Sequence, residues 1–450
     1  MNRRPALASS VVGAVVVALD GTVLTVAQPT LQRELHASFA QVQWTSTAYL
    51  IAVASLLVFA GRLGDRYGQR RVFGLGMLGF GAASAGIGLA PGIGWVIGLR
   101  VAQGVFGALL QPATLGMLRA AYPADRLARP LAVRTAAVGL AAAAGPLLGG
   151  ALVTGLGWRA VFFLHVLPTT AFGVFALAGR ERERGRERAV RVPLDLPGAV
   201  LLAVALAGLV HGLVTGTPVS LGAAVVAGAV FVRHERRTAR PLLPPGVIGA
   251  PAVGAALGVL VAASAALFGT LFVAVYVLQR TLGLDPFASA LRSLPLAVLM
   301  VASAAGCPAL LRRLGPRRTT ATATALLALG VLLLTRPSAA PALYGGFGLL
   351  GAGFGTVMVA ATHVVVHRSD VGAAGVAGGL QQTALNVGPA LGVAVAGALL
   401  GSGTVKPLLV MAFVAVLGVA AARPLPGAAP IASVTPHVDE RDRSPLPARR

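Results

Sequence analysis

The sequence predicts an all-α membrane protein that crosses the bilayer many times, and three observations lead there. The 450 residues are 56% hydrophobic and only 11% charged, with a mean hydropathy of +0.81, whereas a soluble chain carries roughly a quarter charged residues. Apolar runs suited to a hydrocarbon core about 30 Å thick recur from end to end. They fall near 8–30, 45–61, 72–91, 95–118, 131–153, 159–178, 197–213, 218–232, 251–278, 287–311, 319–335, 341–362, 372–400 and 404–422. The 37 Lys and Arg are sided: 29 lie in the connectors on the N-terminal side, five on the opposite side and three inside the runs. Basic residues in short connectors stay cytoplasmic, so the pattern predicts 14 transmembrane helices with both termini cytoplasmic.

The siding also explains the formal charge of +23. It is a topology signal, helped by attraction to an anionic inner leaflet of the lipid bilayer, and nucleic acid is not expected as a partner. The single cysteine, Cys307, excludes a disulfide framework and a cysteine-based metal site, and suits a helix interface. Arg3 and Arg4 before an apolar run imitate a signal peptide, but the apolar character resumes after Asp20, so the first run is an uncleaved helix. No GxxxxGK[ST], HExxH or GxSxG stretch occurs. ATP as a direct energy source, metal, cofactor and enzyme activity are therefore not expected.

Taken in order, the first run carries Asp20 about 18 Å from its start, near mid-bilayer. A charge there costs about 2.5–3.5 kcal/mol. Such a carboxyl either loads and releases a proton or pairs permanently with an arginine. Residues 61–71, GRLGDRYGQRR, connect the second and third runs. Gly61, Gly64 and Gly68 let two helix ends approach, while Asp65 among Arg62, Arg66, Arg70 and Arg71 can form a charge-assisted latch. The same composition also suits an ordinary positive-inside loop. The fourth run opens RVAQG at Arg100, with Gln103 in the same stretch. Arg100 lies about 8 Å below the outer face, which brings Asp20 within reach of its guanidinium. The fifth run carries Arg134 and then GLAAAAGPLLGG over 139–150. Pro146 there removes a backbone hydrogen bond, and Gly145, Gly149 and Gly150 present a smooth face for another helix.

The seventh and eighth runs are short, joined by TGTPVS and flanked by basic connectors at 180–191 and 233–240. They are read as an extra pair, because the remainder repeats. RYGQRR at 66–71 returns as RLGPRR at 313–318 when Gly68 is set on Gly315, although Arg312 then stands where Asp65 does. The expected organisation is a six-helix bundle over 1–180, connectors with two extra helices over 181–240, a second six-helix bundle over 241–423, and a Pro-rich disordered cytoplasmic tail over 424–450. Arg292 falls in the tenth run, and Gln381, Gln382 and Asn386 in the thirteenth. His211 and His363 also fall in runs, where an imidazole can titrate near neutrality but more often donates one interhelical hydrogen bond.

Together these stretches resemble the major facilitator superfamily of secondary transporters. GRLGDRYGQRR is similar to its signature between helices 2 and 3, and RVAQG to the motif whose arginine assists proton transfer. GLAAAAGPLLGG resembles the antiporter signature G-x-x-x-x-x-G-P-x-x-G-G. LDGTVLTVAQP over 19–29 and GWRAVFFLHVLP over 157–168 resemble the fourteen-span drug/proton antiporters, the EmrB/QacA-type branch. So do RPLLP over 240–244, YVLQRTLGLDPFASALRSLP over 276–295 and GVAGGLQQTALNVGPALGVAV over 375–395. The resemblance implies a major facilitator fold and a monomeric, proton-coupled, multi-pass antiporter of the cytoplasmic membrane that exports amphipathic small molecules, with one endogenous secondary metabolite as the alternative cargo. It assigns proton coupling to Asp20 and Arg100. The expected substrate cavity comprises Thr25, Gln28, Gln103, Arg134, Arg292, Gln381, Gln382 and Asn386. Thr25 and Gln28 replace the branch's common asparagine and leucine, and His165 a frequent asparagine. The thirteenth run offers amides and no acid, so dicationic substrates are not expected.

Overall fold

The computed structural model describes residues 3–123, 126, 128–178, 195–238, 241, 251–337, 339–367 and 374–426. The tail over 427–450 and the connector over 179–194 lie outside them, and with them most of the expected disorder and basic linker.

Helices α1 (Arg3–Glu34), α2 (Phe39–Tyr67), α3 (Gln69–Gly88), α4 (Ile93–Ala121), α5 (Ala128–Leu156) and α6 (Trp158–Ala178) come first. The hairpin of α7 (Leu196–Thr215) and α8 (Pro218–Arg237) follows. Then come α9 (Pro251–Tyr276), α10 (Pro286–Arg292), α11 (Leu294–Leu333), α12 (Ala340–His367), α13 (Ala374–Leu400) and α14 (Val405–Ala421). Among the described residues there is no strand. By length and composition nine helical stretches of the described residues suffice to cross a membrane.

The apolar runs coincide with these helices, with two differences in detail. The tenth run is broken after its first two turns, at Ser293, into α10 and the start of α11. The tenth and eleventh runs then join in one helical path through α11, bent only at Gly315 (φ 74°, ψ 164°), where proline follows at 316. A π turn, Val277–Thr281, also extends α9. Periodicity does not mark the break at Ser293, because apolar residues continue on both sides of it, whereas Gly315 lies in the basic stretch 312–318 that separates the tenth and eleventh runs.

The repeat is written in the backbone. Non-helical turns with positive φ occur at His36 and Gly283, at Gly68 and Gly315, and at Gly157 and Gly403. Each pair has nearly the same offset (283 − 36 = 247, 315 − 68 = 247, 403 − 157 = 246). Left-handed backbone favours glycine because a Cβ clashes there, so five of these six positions are glycine. The remaining positive-φ glycine, Gly216, lies in the α7–α8 hairpin and has no counterpart.

Packing follows the repeat. α9 and α11–α14 bury one continuous core that includes Leu267, Val331, Phe347 and Leu350. α1–α6 bury two smaller clusters, one around Leu24, Trp158 and Phe162 and one around Tyr49, Phe73 and Phe80. α7 lies over the seam between the two groups. Its Val210 shares a cluster with Ile51 of α2 and with Ala390 and Ala394 of α13. At the hairpin's other end the Asp195 carboxylate caps α7 through the Gly198 N–H and meets His234 Nε2 of α8 at 2.7 Å, which fixes the two helices to each other.

Candidate functional site

Four helices converge on one buried polar network. α1 supplies Asp20 and α4 supplies Arg100 and Gln103, which are one turn apart and share a face. Arg100 Nη1 donates to Asp20 Oδ2 at 2.7 Å, and Gln103 Nε2 donates to Asp20 Oδ1 at 3.1 Å, so both carboxylate oxygens are satisfied. Arg100 also donates to the Gln103 side-chain carbonyl, and its Nε donates to the Thr45 carbonyl of α2 at 2.6 Å. Gln103 Nε2 reaches Ser84 Oγ of α3 at 2.8 Å. The Tyr49 ring of α2 lies under the guanidinium, 4.3 Å from centroid to Cζ, a cation–π contact strengthened by the burial of both groups. Asp20 and Arg100 are each only 1% exposed.

Two glycines make this geometry possible. A Cβ on Gly104 would stand 2.6 Å from the Tyr49 carbonyl, and one on Gly107 would stand 3.0 Å from the Tyr49 hydroxyl. α4 can therefore lie flat against α2 and bring Arg100 to the Thr45 carbonyl. Removing one partner of such a pair leaves a bare buried charge, at a cost of about 3–5 kcal/mol.

The other predicted residues are spread along the molecule. Gln28, about two turns from Asp20 on α1, donates to Ser46 Oγ of α2 at 2.9 Å, while Thr25 bonds back to its own helix at Gly21. Arg134 Nη2 reaches Thr114 Oγ1 of α4 at 3.1 Å. Gln381 donates to Thr362 Oγ1 of α12 at 2.6 Å, and Asn386 donates to the Gln382 backbone carbonyl. Arg292 ends α10 and stacks over the Tyr344 ring at 5.9 Å, among the helices of its own half.

Gly145 and Gly149 face Thr22 and Val23, which packs α5 against α1 within one turn of Asp20. A Cβ on Gly150 would lie 2.8 Å from the backbone of Phe287 in α10, a close approach between the two halves. Pro146 sits within α5, whose helix continues through it.

Of the expected latch, Gly61 faces Pro112, and Gly64 faces Gln69, whose side chain lies between Gly64 and Gly116 of α4. Gly68 forms the turn, Arg66 stacks over Tyr67, and Arg70 donates to the Phe175 carbonyl of α6 at 3.1 Å. The Asp65 side chain lies outside the described residues. His211 is exposed and shares a hydrogen bond with Ser220 of α8 at 2.9 Å; His363 is exposed on α12.

Residues that the sequence did not single out join the halves. Gln43, buried on α2 two positions before Thr45, donates to the carbonyls of Val393 (2.6 Å) and Ala394 (3.1 Å) on α13, lying across Gly397. Gln279 donates to the Val26 carbonyl at 3.0 Å, and Arg280 to Gln32 Oε1 at 2.9 Å while stacking over Phe39. All three lie toward the end of the molecule that holds the C-terminus of α1. Among the described residues no group of three His, Cys, Asp or Glu could hold a metal.

A duplicated helical bundle with a buried ionisable network is the build of a polytopic membrane transporter. Solved structures agree on the fold. The chain superimposes on a D-xylose–proton symporter with a TM-score of 0.68 at 12% identity, covering 94% of this chain and 98% of that one. It superimposes on a peptide transporter with a TM-score of 0.67 at 15% identity, covering 92% and 93%. The chain belongs to the Major Facilitator Superfamily, whose family model matches residues 11–393. It is 38% identical over 415 residues to the tetracenomycin C resistance and export protein of Streptomyces glaucescens, covering 88% of this chain and 76% of the relative. It is 35% identical to the puromycin resistance protein of Streptomyces alboniger (84% and 78% covered) and 33% identical to a probable actinorhodin transporter of Streptomyces coelicolor (85% and 69%).

Proposed function

We propose that the chain is a monomeric proton-coupled antiporter of the fourteen-span drug/proton branch, with both termini cytoplasmic, that exports amphipathic small molecules across the cytoplasmic membrane. The observation that carries this reading is the Asp20–Arg100–Gln103 network, sealed from solvent and shared among α1, α2, α3 and α4. A proton arriving on Asp20 removes the negative partner of Arg100. The guanidinium then leans on the remaining acceptors, the Gln103 side chain and the Thr45 carbonyl. Thr45 lies two residues from Gln43, which holds α13 of the other half. The protonation state of Asp20 is thereby transmitted to the seam that opens and closes as the halves rock. The names of the relatives support export of antibiotic-like compounds.

The test is proton release from purified protein in liposomes on addition of neutral, anionic and cationic amphiphiles, wild type beside Asp20→Asn. Release triggered by a compound and lost in the variant is expected. Release that survives the substitution would move coupling away from Asp20. A second reading, export of one endogenous product, is favoured by relatives named for the export or transport of single natural products. In that case one compound in the panel gives the signal and dyes give none.

A further inference from the structure

A second cation, the half-buried Arg134, lies toward the opposite end of the same bundle and meets no counter-charge among the described residues. Ten residues back along α1 from Asp20, about 15 Å, Ser10 Oγ donates to the Thr114 carbonyl of α4 at 2.9 Å. Arg134 of α5 joins them, Nη2 donating to Thr114 Oγ1 at 3.1 Å. Its Nε–H is enclosed and meets no acceptor. Among the described residues no carboxylate pairs with it, and Asp20 is held by Arg100. An arginine in a membrane helix costs about 2.5–3.5 kcal/mol, so its charge calls for a partner.

The repeat shows that the charge is not needed for packing. The residue 247 positions on from Arg134 is Gln381, and it makes a similar joint: Gln381 Nε2 donates to Thr362 Oγ1 of α12 at 2.6 Å, one position beyond the counterpart of Thr114. A neutral amide thus ties α13 to α12 as Arg134 ties α5 to α4. The guanidinium adds only a positive charge and unused donors.

We infer that Arg134 is the anion-recognition residue of the substrate path, and that this transporter takes amphipathic organic anions, such as aromatic carboxylates or phenolates, whose charged oxygen pairs with the guanidinium. Ser10 and Thr114 hold the guanidinium's platform, and the planar fork of arginine matches a carboxylate with two parallel hydrogen bonds. The inference rests on the export reading for the identity of the ligand as cargo. An anionic lipid headgroup has the same chemistry and is the competing source.

Binding of 2-naphthoate and of 2-naphthamide, nearly isosteric compounds of which only the first is charged, is measured on purified protein in nanodiscs of neutral lipid, for wild type, Arg134→Gln and Arg134→Lys. Arg134→Gln reproduces the arrangement on α13, so the fold should tolerate it. Wild type is expected to prefer the acid roughly tenfold, the worth of one charge-assisted hydrogen bond. Arg134→Gln should abolish the preference and Arg134→Lys keep part of it. Equal binding of the two compounds by wild type, binding of neither, or an acid preference surviving in Arg134→Gln would overturn the anion site. Repeating the titration with 20% anionic lipid separates the sources: strong competition by lipid, with no naphthoate uptake into wild-type vesicles, assigns the site to lipid and overturns it as a substrate site. Transport of neutral compounds is followed in parallel. Export without charge preference would sink the anion site and leave the exporter standing, whereas acid-selective binding without export of any compound would sink the exporter reading alone.

Discussion

The two halves of this molecule share a backbone plan and differ in what they bury. With the 247-residue offset, Asp20 corresponds to Leu267, Arg100 to Phe347, Gln103 to Leu350 and Ser84 to Val331. All four counterparts lie in the continuous apolar core of α9 and α11–α14. One fold therefore closes equally well around a charged network and around leucine and phenylalanine. A buried ion pair is weak evidence for stability, since apolar residues of similar volume often serve as well or better. The apolar counterparts in the other half give no packing reason for a charged network here, which accords with the proposed coupling role of Asp20.

The largest expected effect comes from erasing that difference. Asp20→Leu alone strands Arg100 and should cost about 3–5 kcal/mol of stability together with all coupled transport. Asp20→Leu with Arg100→Phe and Gln103→Leu copies the C-terminal half and should regain most of the stability while transport stays absent. Thermal unfolding in detergent and vesicle uptake report the two quantities separately. A triple variant less stable than the single one would mean that the halves are not interchangeable and that the network is structural.

A smaller effect is expected at the seam. Gln43 donates both of its amide hydrogen bonds across the halves, to Val393 and Ala394. Gln43→Leu leaves those carbonyls within their own helix ladder but removes the bridge, worth about 1–3 kcal/mol. Spin-label distances between the α1–α2 and α9–α10 turns should lengthen in a larger fraction of molecules, with the Asp20–Arg100 pair untouched. An unchanged distance distribution would show that Gln279 and Arg280 hold the seam without it.

How much of this was legible in the sequence depended on cost. Helices could be read because long apolar runs have no other use, and Asp20, Arg100 and Arg134 because a charge inside such a run is expensive. The repeat was visible at Gly68 and Gly315, where the backbone demands glycine. The other members of the network were not. Ser84 is a residue type that membrane helices carry freely, the Thr45 carbonyl has no sequence signature, and Tyr49 reads as ordinary core. The stacking of Arg292 over Tyr344 likewise has no sequence signature. The break at Ser293 also escaped, because apolar residues continue on both sides of it, whereas the bend at Gly315 falls in the basic stretch 312–318 that the sequence marks as a connector.

The smallest effect tests the repeat at its one exception. His36 and Gly283 occupy the same turn in the two halves, with φ of 49° and 66°. A side chain in left-handed backbone costs roughly 1–2 kcal/mol, and histidine accepts it at position 36 where the other half uses glycine. His36→Gly should relieve that strain at the expense of a more flexible unfolded chain, so the net gain stays below about 1 kcal/mol. Gly283→Ala should destabilise by a similar or larger amount, because no atom within 4 Å of its Cβ position offers compensating contact. Paired unfolding measurements on the two variants should therefore move in opposite directions. Movement in the same direction would show that the turns have diverged in energy while keeping their shape, and that the offset relates the two halves only in geometry.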